Sequence, residues 1–225
     1  LSFAVRHLGC QCGIVLTASH NPPQYNGYKV YWQDGGQLVP PQDAAIIQRI
    51  NALDYADIKF DASEHLIHQI DQEVDQAFIG ASLAAVTQQT TSTQREDLKI
   101  VFTPLHGTSI TMVPPVLEKA GFKGLSIVAA QAVPDGDFPT VKSPNPEEPE
   151  ALALAMEQAE REQADLVIGT DPDCDRLGIA VRDDQGQLQL LDGNQAMIVK
   201  THFLLEQYRK AGKLDHTFIA STIVS

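Results

Sequence analysis

The sequence predicts an α/β protein made of consecutive α/β domains with mainly parallel, mixed sheets. Three observations carry this. Beyond residue 98, short apolar runs alternate with stretches of helical period, the order expected of βαβ units. Two polar loops, 17–27 and 171–176, each follow a short apolar strand, where such sheets carry their ligand-contacting residues. The chain has 225 residues, 43% of them hydrophobic, with no low-complexity tract, which suffices for about one or two domains.

In chain order, Gly13-Ile14-Val15-Leu16 reads as a short buried strand and 28–32 as a second, with a Ser-, His-, Asn- and Pro-rich loop between them. After the turn Asp34-Gly35-Gly36, residues 43–53 place Ile46, Ile47, Ile50 and Leu53 at helical spacing. Residues 64–86 do the same with Leu66, Ile67, Ile70, Val74, Ala77 and Phe78. The run 87–94, almost wholly Thr, Gln and Ser, reads as a linker at a domain boundary. There follow a strand at 99–102, a helix at 110–120, a strand at 125–128, a helix at 150–162 and a strand at 166–168. A hairpin pairs 177–181 with 187–191, Asp192-Gly193-Asn194 opens a helix to about 210, and 217–224 reads as a strand. A third α/β unit thus begins where the sequence stops, the mark of a fragment.

Composition narrows the function. No run reaches the roughly 18 to 20 apolar residues of a membrane helix, and the first residues lack a signal peptide's pattern, so no membrane partner and a cytoplasmic location are expected. A net charge of −13 without a Lys/Arg cluster argues against nucleic acid. A phosphorylated substrate would need a local exception, built from a metal ion and cations such as Lys29 and Arg176. Three cysteines, Cys10, Cys12 and Cys174, form no CxxC pair and read as buried or half-buried free thiols.

Asp171-Pro172-Asp173-Cys174-Asp175-Arg176 sets three carboxylates on one loop after a buried strand. Oxygen-only ligands favour Mg²⁺, Mn²⁺ or Ca²⁺, and the carboxylates repel one another without a cation. An EF-hand counted from Asp171 fails twice, with Arg176 in place of Gly and Arg182 in place of Glu. An aspartyl phosphatase of the haloacid dehalogenase type is the rival: it would make Asp171 a nucleophile, but Asp175 stands where Thr or Val is usual. At Thr17-Ala18-Ser19-His20-Asn21-Pro22-Pro23 a Ser-His hydrolase lacks the G-x-S-x-G elbow, and the residues alone leave a plain turn closed by Pro22-Pro23 open.

The stretch T-A-S-H-N-P-P-Q-Y-N-G-Y-K, residues 17–29, resembles the phosphoserine loop of the α-D-phosphohexomutases, and G-T-D-P-D-C-D-R, residues 169–176, is similar to that family's metal-binding loop. T-P-L-H-G-T at 103–108 and S-P-N-P-E at 143–147 look more like the phosphoglucomutase/phosphopentomutase branch. The resemblance implies a phosphohexomutase-like fold, divided as 1–90, the later part of a first domain with the phosphoserine loop; 91–190, a second domain with the metal-binding loop; and 191–225, the start of a third. It implies phosphoryl transfer on a sugar phosphate, of the glucose 1-phosphate to glucose 6-phosphate type, through a phosphoserine and a sugar bisphosphate.

In that scheme Ser19 is the phosphoryl carrier. Mg²⁺ is held by Asp171, Asp173, Asp175 and an oxygen on phosphorylated Ser19, and a sugar 1,6-bisphosphate is the activator. Lys29 and His20 share the proton-transfer roles, and Asn21 and Arg176 contact the substrate. The sugar-recognition loop and the distal phosphate-binding domain would lie beyond Ser225, so the chain does not discriminate glucose, mannose or pentose phosphates. Alone it is expected to be inactive, and a non-catalytic phosphosugar-binding role is a further alternative. Oligomeric state is left open. His106 reads as a turn histidine with a structural hydrogen bond, and Tyr25, Tyr28, Tyr31 and Trp32 as packing around the first strand pair.

Overall fold

The computed structural model describes residues 1–85 and 90–221, which form two compact units: 1–17 with 26–81, and 18–25 with 82 onward.

In the first unit, α1 (Ser2–His7) precedes β1 (Cys12–Leu16) and β2 (Tyr28–Trp32), an antiparallel pair in the register Cys12↔Trp32 to Leu16↔Tyr28. The six-residue α1 is too short for a periodic signal in sequence. Val5 on α1 is 2% exposed and occupies the space a Cβ at Gly13 would need. Phe3 stacks on His7 and meets Phe78 edge-on at 5.4 Å.

Several expectations are corrected here. Strand β1 is half-open, with Ile14 48% and Leu16 67% exposed, because in a two-stranded sheet alternate residues have no apolar layer to face. Tyr28 and Trp32 are likewise exposed, and so is Cys12 at the strand's outer end. α2 (Gln42–Asn51) forms as expected, but the long helix at 64–86 does not. A 3₁₀ turn covers Glu64–Leu66, and α3 (Gln72–Ala85) starts only after Asp71, whose carbonyl takes the first helical bonds. Leu66, Ile67 and Ile70 stay exposed, so no burial extends the helix backward over them.

The second unit is a five-stranded sheet in the order β4-β3-β5-β6-β7. Its strands are β3 (Lys99–Thr103), β4 (Gly124–Ile127), β5 (Leu166–Thr170), β6 (Leu177–Arg182) and β7 (Leu188–Leu191). β3 runs parallel to β4 and β5, whereas β5, β6 and β7 are antiparallel, so the sheet is mixed. Val101, Val128, Ala155, Ala159, Ala164, Val167 and Ala180 form a sealed core. Its small alanines let α6 (Ala153–Glu162) lie close on the sheet.

Part of the expected linker is helical. Residues 87–89 lie outside the described residues, but α4 (Ser92–Asp97) follows, started by a reciprocal capping box between Thr91 and Gln94. The expected helix at 110–120 is a 3₁₀ turn, Thr108–Thr111, followed by α5 (Val113–Lys119) with proline in its first turn. α7 (Gly193–Lys210) has its own capping box between Asp192 and Gln195. Residues 217–221 are not a strand, and 222–224 lie outside the described residues. A strand needs a ladder partner, and Phe218 is 87% exposed. Among the described residues, no helix is long and apolar enough to cross a membrane.

Candidate active site

The loop 171–176 joins β5 to β6 as a hairpin beyond the pair Thr170↔Leu177. Asp171 organises it. Its Oδ1 accepts from the backbone N–H of Asp175 at 3.0 Å and of Arg176 at 2.8 Å, and its carbonyl accepts from Cys174 N–H at 3.0 Å. An aspartate that binds the backbone ahead of it is a common turn device, and Cys174 adopts the left-handed conformation the turn requires (φ 62°). Cys174 is an exposed residue, placed by the turn's geometry, while burial of its thiol pushes that group's pKa up.

Asp171 is fully buried, Asp173 half-buried and Asp175 exposed, and one carboxylate oxygen of each lies within 4.8 Å of the others. Burial foremost, together with the neighbouring Asp173, pushes the Asp171 carboxyl from the ordinary 3.8 up to about 6, against the pull of the Arg176 N–H and the Ser19 hydroxyl. An octahedral Mg²⁺ shell at about 2.1 Å sets ligand oxygens roughly 3 to 4.2 Å apart. Small side-chain rotations bring this all-oxygen cluster to that spacing, so the residues fit a hard divalent cation.

The serine loop meets this cluster inside the second unit, to which residues 18–25 belong. Ser19 Oγ donates to Asp171 Oδ2 at 2.8 Å, and His20 Nδ1 is 3.2 Å from Ser19 Oγ. Ser19 has φ 56°, a left-handed backbone that costs a non-glycine residue roughly 1–2 kcal/mol. Such strain persists where surrounding contacts fix it, and it turns the hydroxyl toward the carboxylates. Asn21 N–H closes the turn on the Ala18 carbonyl, and its side chain is exposed. Tyr25, after Pro22-Pro23, is 60% exposed rather than packed.

Arg176 Nη1 lies 3.7 Å from Glu147 Oε2, both side chains being substantially exposed. Lys29 is on β2 opposite Val15, in the first unit. The structure therefore brings together Ser19, His20, Asp171, Asp173, Asp175 and Arg176.

Sequence reading missed the loop after β3. β3 and β5 are parallel neighbours, so their carboxyl-end loops share one edge of the sheet. Thr108 N–H and Oγ1 both donate to the Pro172 carbonyl, at 2.9 and 3.0 Å, and the buried hydroxyls of Ser109 and Thr170 pair at 2.6 Å. Gly107 sits so close that a Cβ would collide with Pro172. His106 is buried, with Nδ1 3.2 Å from the Val133 carbonyl and Nε2 2.9 Å from Thr140 Oγ1, a structural role as expected. The motif T-P-L-H-G-T was visible, but not which loop it would meet.

The phosphoglucomutase/phosphomannomutase family matches the chain twice, its alpha/beta/alpha domain I over residues 1–57 and domain II over residues 77–186. A phosphoglucomutase of Staphylococcus haemolyticus is 38% identical over the whole chain, which spans 41% of that relative's length. A phosphoglucomutase/phosphomannomutase family protein of Burkholderia thailandensis superposes with a TM-score of 0.65 at 22% identity, over 87% of this chain and 38% of that one. An N-acetylphosphoglucosamine mutase of Aspergillus fumigatus, solved with glucose 1,6-bisphosphate, superposes with a TM-score of 0.50 at 16% identity, over 95% of this chain and 52% of that one. On the two matched domains and the identity across its full length, this chain belongs to the phosphoglucomutase/phosphomannomutase family.

Proposed function

We propose that the protein carrying this chain moves a phosphoryl group between positions of a sugar monophosphate, in the manner of glucose 1-phosphate and glucose 6-phosphate, through a phosphoserine at Ser19. One observation carries the reading: Ser19 Oγ lies 2.8 Å from Asp171 Oδ2, at the convergence of three carboxylates. Relatives named phosphoglucomutase, and a bisphosphate in a structure of the same fold, support it. The domain limits 1–90, 91–190 and 191–225 go with this proposal.

Mg²⁺ held by Asp171, Asp173, Asp175 and a phosphoserine oxygen supplies charge neutralisation at the transferring phosphoryl group. The sugar hydroxyl oxygen bonds to phosphorus as the bond from phosphorus to Ser19 Oγ breaks. The hydroxyl proton ends on Ser19 Oγ, by way of Lys29 or His20. The sugar 1,6-bisphosphate then turns over and returns its other phosphoryl group to Ser19 by the same steps in reverse. Asn21 and Arg176 hold phosphate oxygens, Arg176 through its planar fork. While the bisphosphate turns over and Ser19 carries no phosphate, the hydrogen bond from Ser19 to Asp171 keeps the hydroxyl facing the carboxylates.

Mass spectrometry of the full-length protein tests the reading. Phosphate is expected on Ser19 and absent in Ser19→Ala, whose turnover falls on the order of 10³-fold or more. A Ser19 that stays unmodified after incubation with sugar bisphosphate and Mg²⁺ overturns it.

A further inference from the structure

The contact between the loop after β3 and the aspartate loop has no part in the steps above. We propose that Thr108 and Gly107, fixed by His106, are positioning residues for the metal ligands: they set the peptide between Asp171 and Asp173, and with it the affinity of the site for a divalent cation. The inference rests on the metal reading of the aspartate cluster.

Three observations support the clamp. Pro172 has no N–H, so its carbonyl is the one backbone polar group it offers, and Thr108 meets that oxygen with two donors, N–H at 2.9 Å and Oγ1 at 3.0 Å. Gly107 lies where any Cβ would strike Pro172, so the two backbones touch without an intervening side chain. The clamp is also held from behind. Leu105 and His106 are consecutive left-handed residues with φ of 47° and 60°, a conformation that lasts only where its surroundings over-determine it.

His106, Gln131 and Thr103 among those surroundings are buried, and Val133 and Thr140 are exposed. The His106 ring meets the Val133 carbonyl and Thr140 Oγ1, and Thr140 Oγ1 accepts from Gln131 Nε2 at 3.0 Å. Gln131, fully buried, accepts from Thr103 Oγ1 at 2.6 Å, and its carbonyl accepts from His106 N–H at 3.0 Å. Hydrogen bonds thus run from Thr103 at the end of β3 to His106, and the backbone carries that anchoring two residues on to Thr108 and the Pro172 carbonyl. Outer contacts that orient ligands change metal affinity by about 10- to 100-fold when lost.

The test uses Mn²⁺ as probe in the full-length protein, with its Kd read from the electron paramagnetic resonance of free Mn²⁺ and competed by Mg²⁺. The melting midpoint in EDTA is measured alongside. Thr108→Val, which keeps shape and N–H but loses the second donor, is expected to raise the Kd about 10-fold while the EDTA midpoint moves by no more than about 2 °C. Thr108→Ser restores wild-type affinity to within about twofold, and Gly107→Ala weakens binding at least as much as Thr108→Val. If Gly107→Ala does not fold, the two Thr108 variants decide. A wild-type Kd in Thr108→Val, or no rescue by Thr108→Ser, overturns the clamp alone. Wild-type protein with no Mg²⁺-competed Mn²⁺ binding overturns the metal reading, and the clamp with it.

Discussion

The apolar runs Ile100-Val101-Phe102 and Ile14-Val15-Leu16 look alike as sequence, and the fold treats them differently. On β3 the three residues are 0–1% exposed; on β1, Ile14 and Leu16 are 48% and 67% exposed. β3 has a parallel neighbour on each side and α6 against its face, while β1 has one partner. A strand is sealed by its layers, not by its own hydrophobicity. The difference carries over to the two functional loops. The aspartate loop is rooted on the sealed sheet and folded on its own hydrogen bonds. The serine loop follows β1 in sequence but belongs to the second unit, where the Ser19–Asp171 bond ties it to the cluster.

The largest expected effect breaks that comparison at its root. Phe102→Ala empties a fully buried site and should cost about 3–5 kcal/mol in urea unfolding, whereas Leu16→Ala should stay within about 0.5 kcal/mol. Equal losses would mean that the two strands are equally sealed in solution.

The second prediction separates the aspartate loop's own folding from its need for a cation. Folding raises the Asp171 pKa from 3.8 to about 6, so the fold disfavours the ionised form. In EDTA the contribution of Asp171 to stability is therefore fully present below about pH 3.8, declines as pH rises toward about 6, and is flat above. The wild-type urea midpoint minus that of Asp171→Asn should fall between pH 4 and 7. Asp183 and Glu206, whose carboxyls are held low by hydrogen bonds from Gln187 and Arg209, oppose this trend but are common to both proteins and cancel. At pH 7.5, Mg²⁺ should raise the wild-type midpoint and leave the variant unmoved. A difference that rises with pH in EDTA contradicts the sign.

The smallest effect concerns the loop's exposed end. Arg176 and Glu147 are 3.7 Å apart with side chains 39% and 52% exposed, so Glu147→Gln should change stability by less than about 1 kcal/mol. A larger loss would show that the pair is desolvated in solution.

Much of this was legible in the sequence because it is local. The strands, the hairpin at 177–191 and the helix opened by Asp192 depend on residues a few positions apart, and so does the spacing of three aspartates on one turn. The expected helix over 64–71 and the expected strand over 217–221 do not form, for the opposite reason: periodicity offers a face, but only a neighbour to bury it or pair with it makes the element form.

The site divides the same way. Which groups the two loops carry is written in the residues themselves, because hydroxyl and carboxylate chemistry is set by residue type. That Ser19 meets Asp171 across 152 positions, and that Thr108 grips Pro172 and Ser109 pairs with Thr170 across more than sixty, is a matter of long-range packing. The last two contacts follow from the parallel pairing of β3 with β5, which sets their loops on one edge. Strand order is the outcome of burying all the apolar faces at once, and no short stretch of sequence holds it.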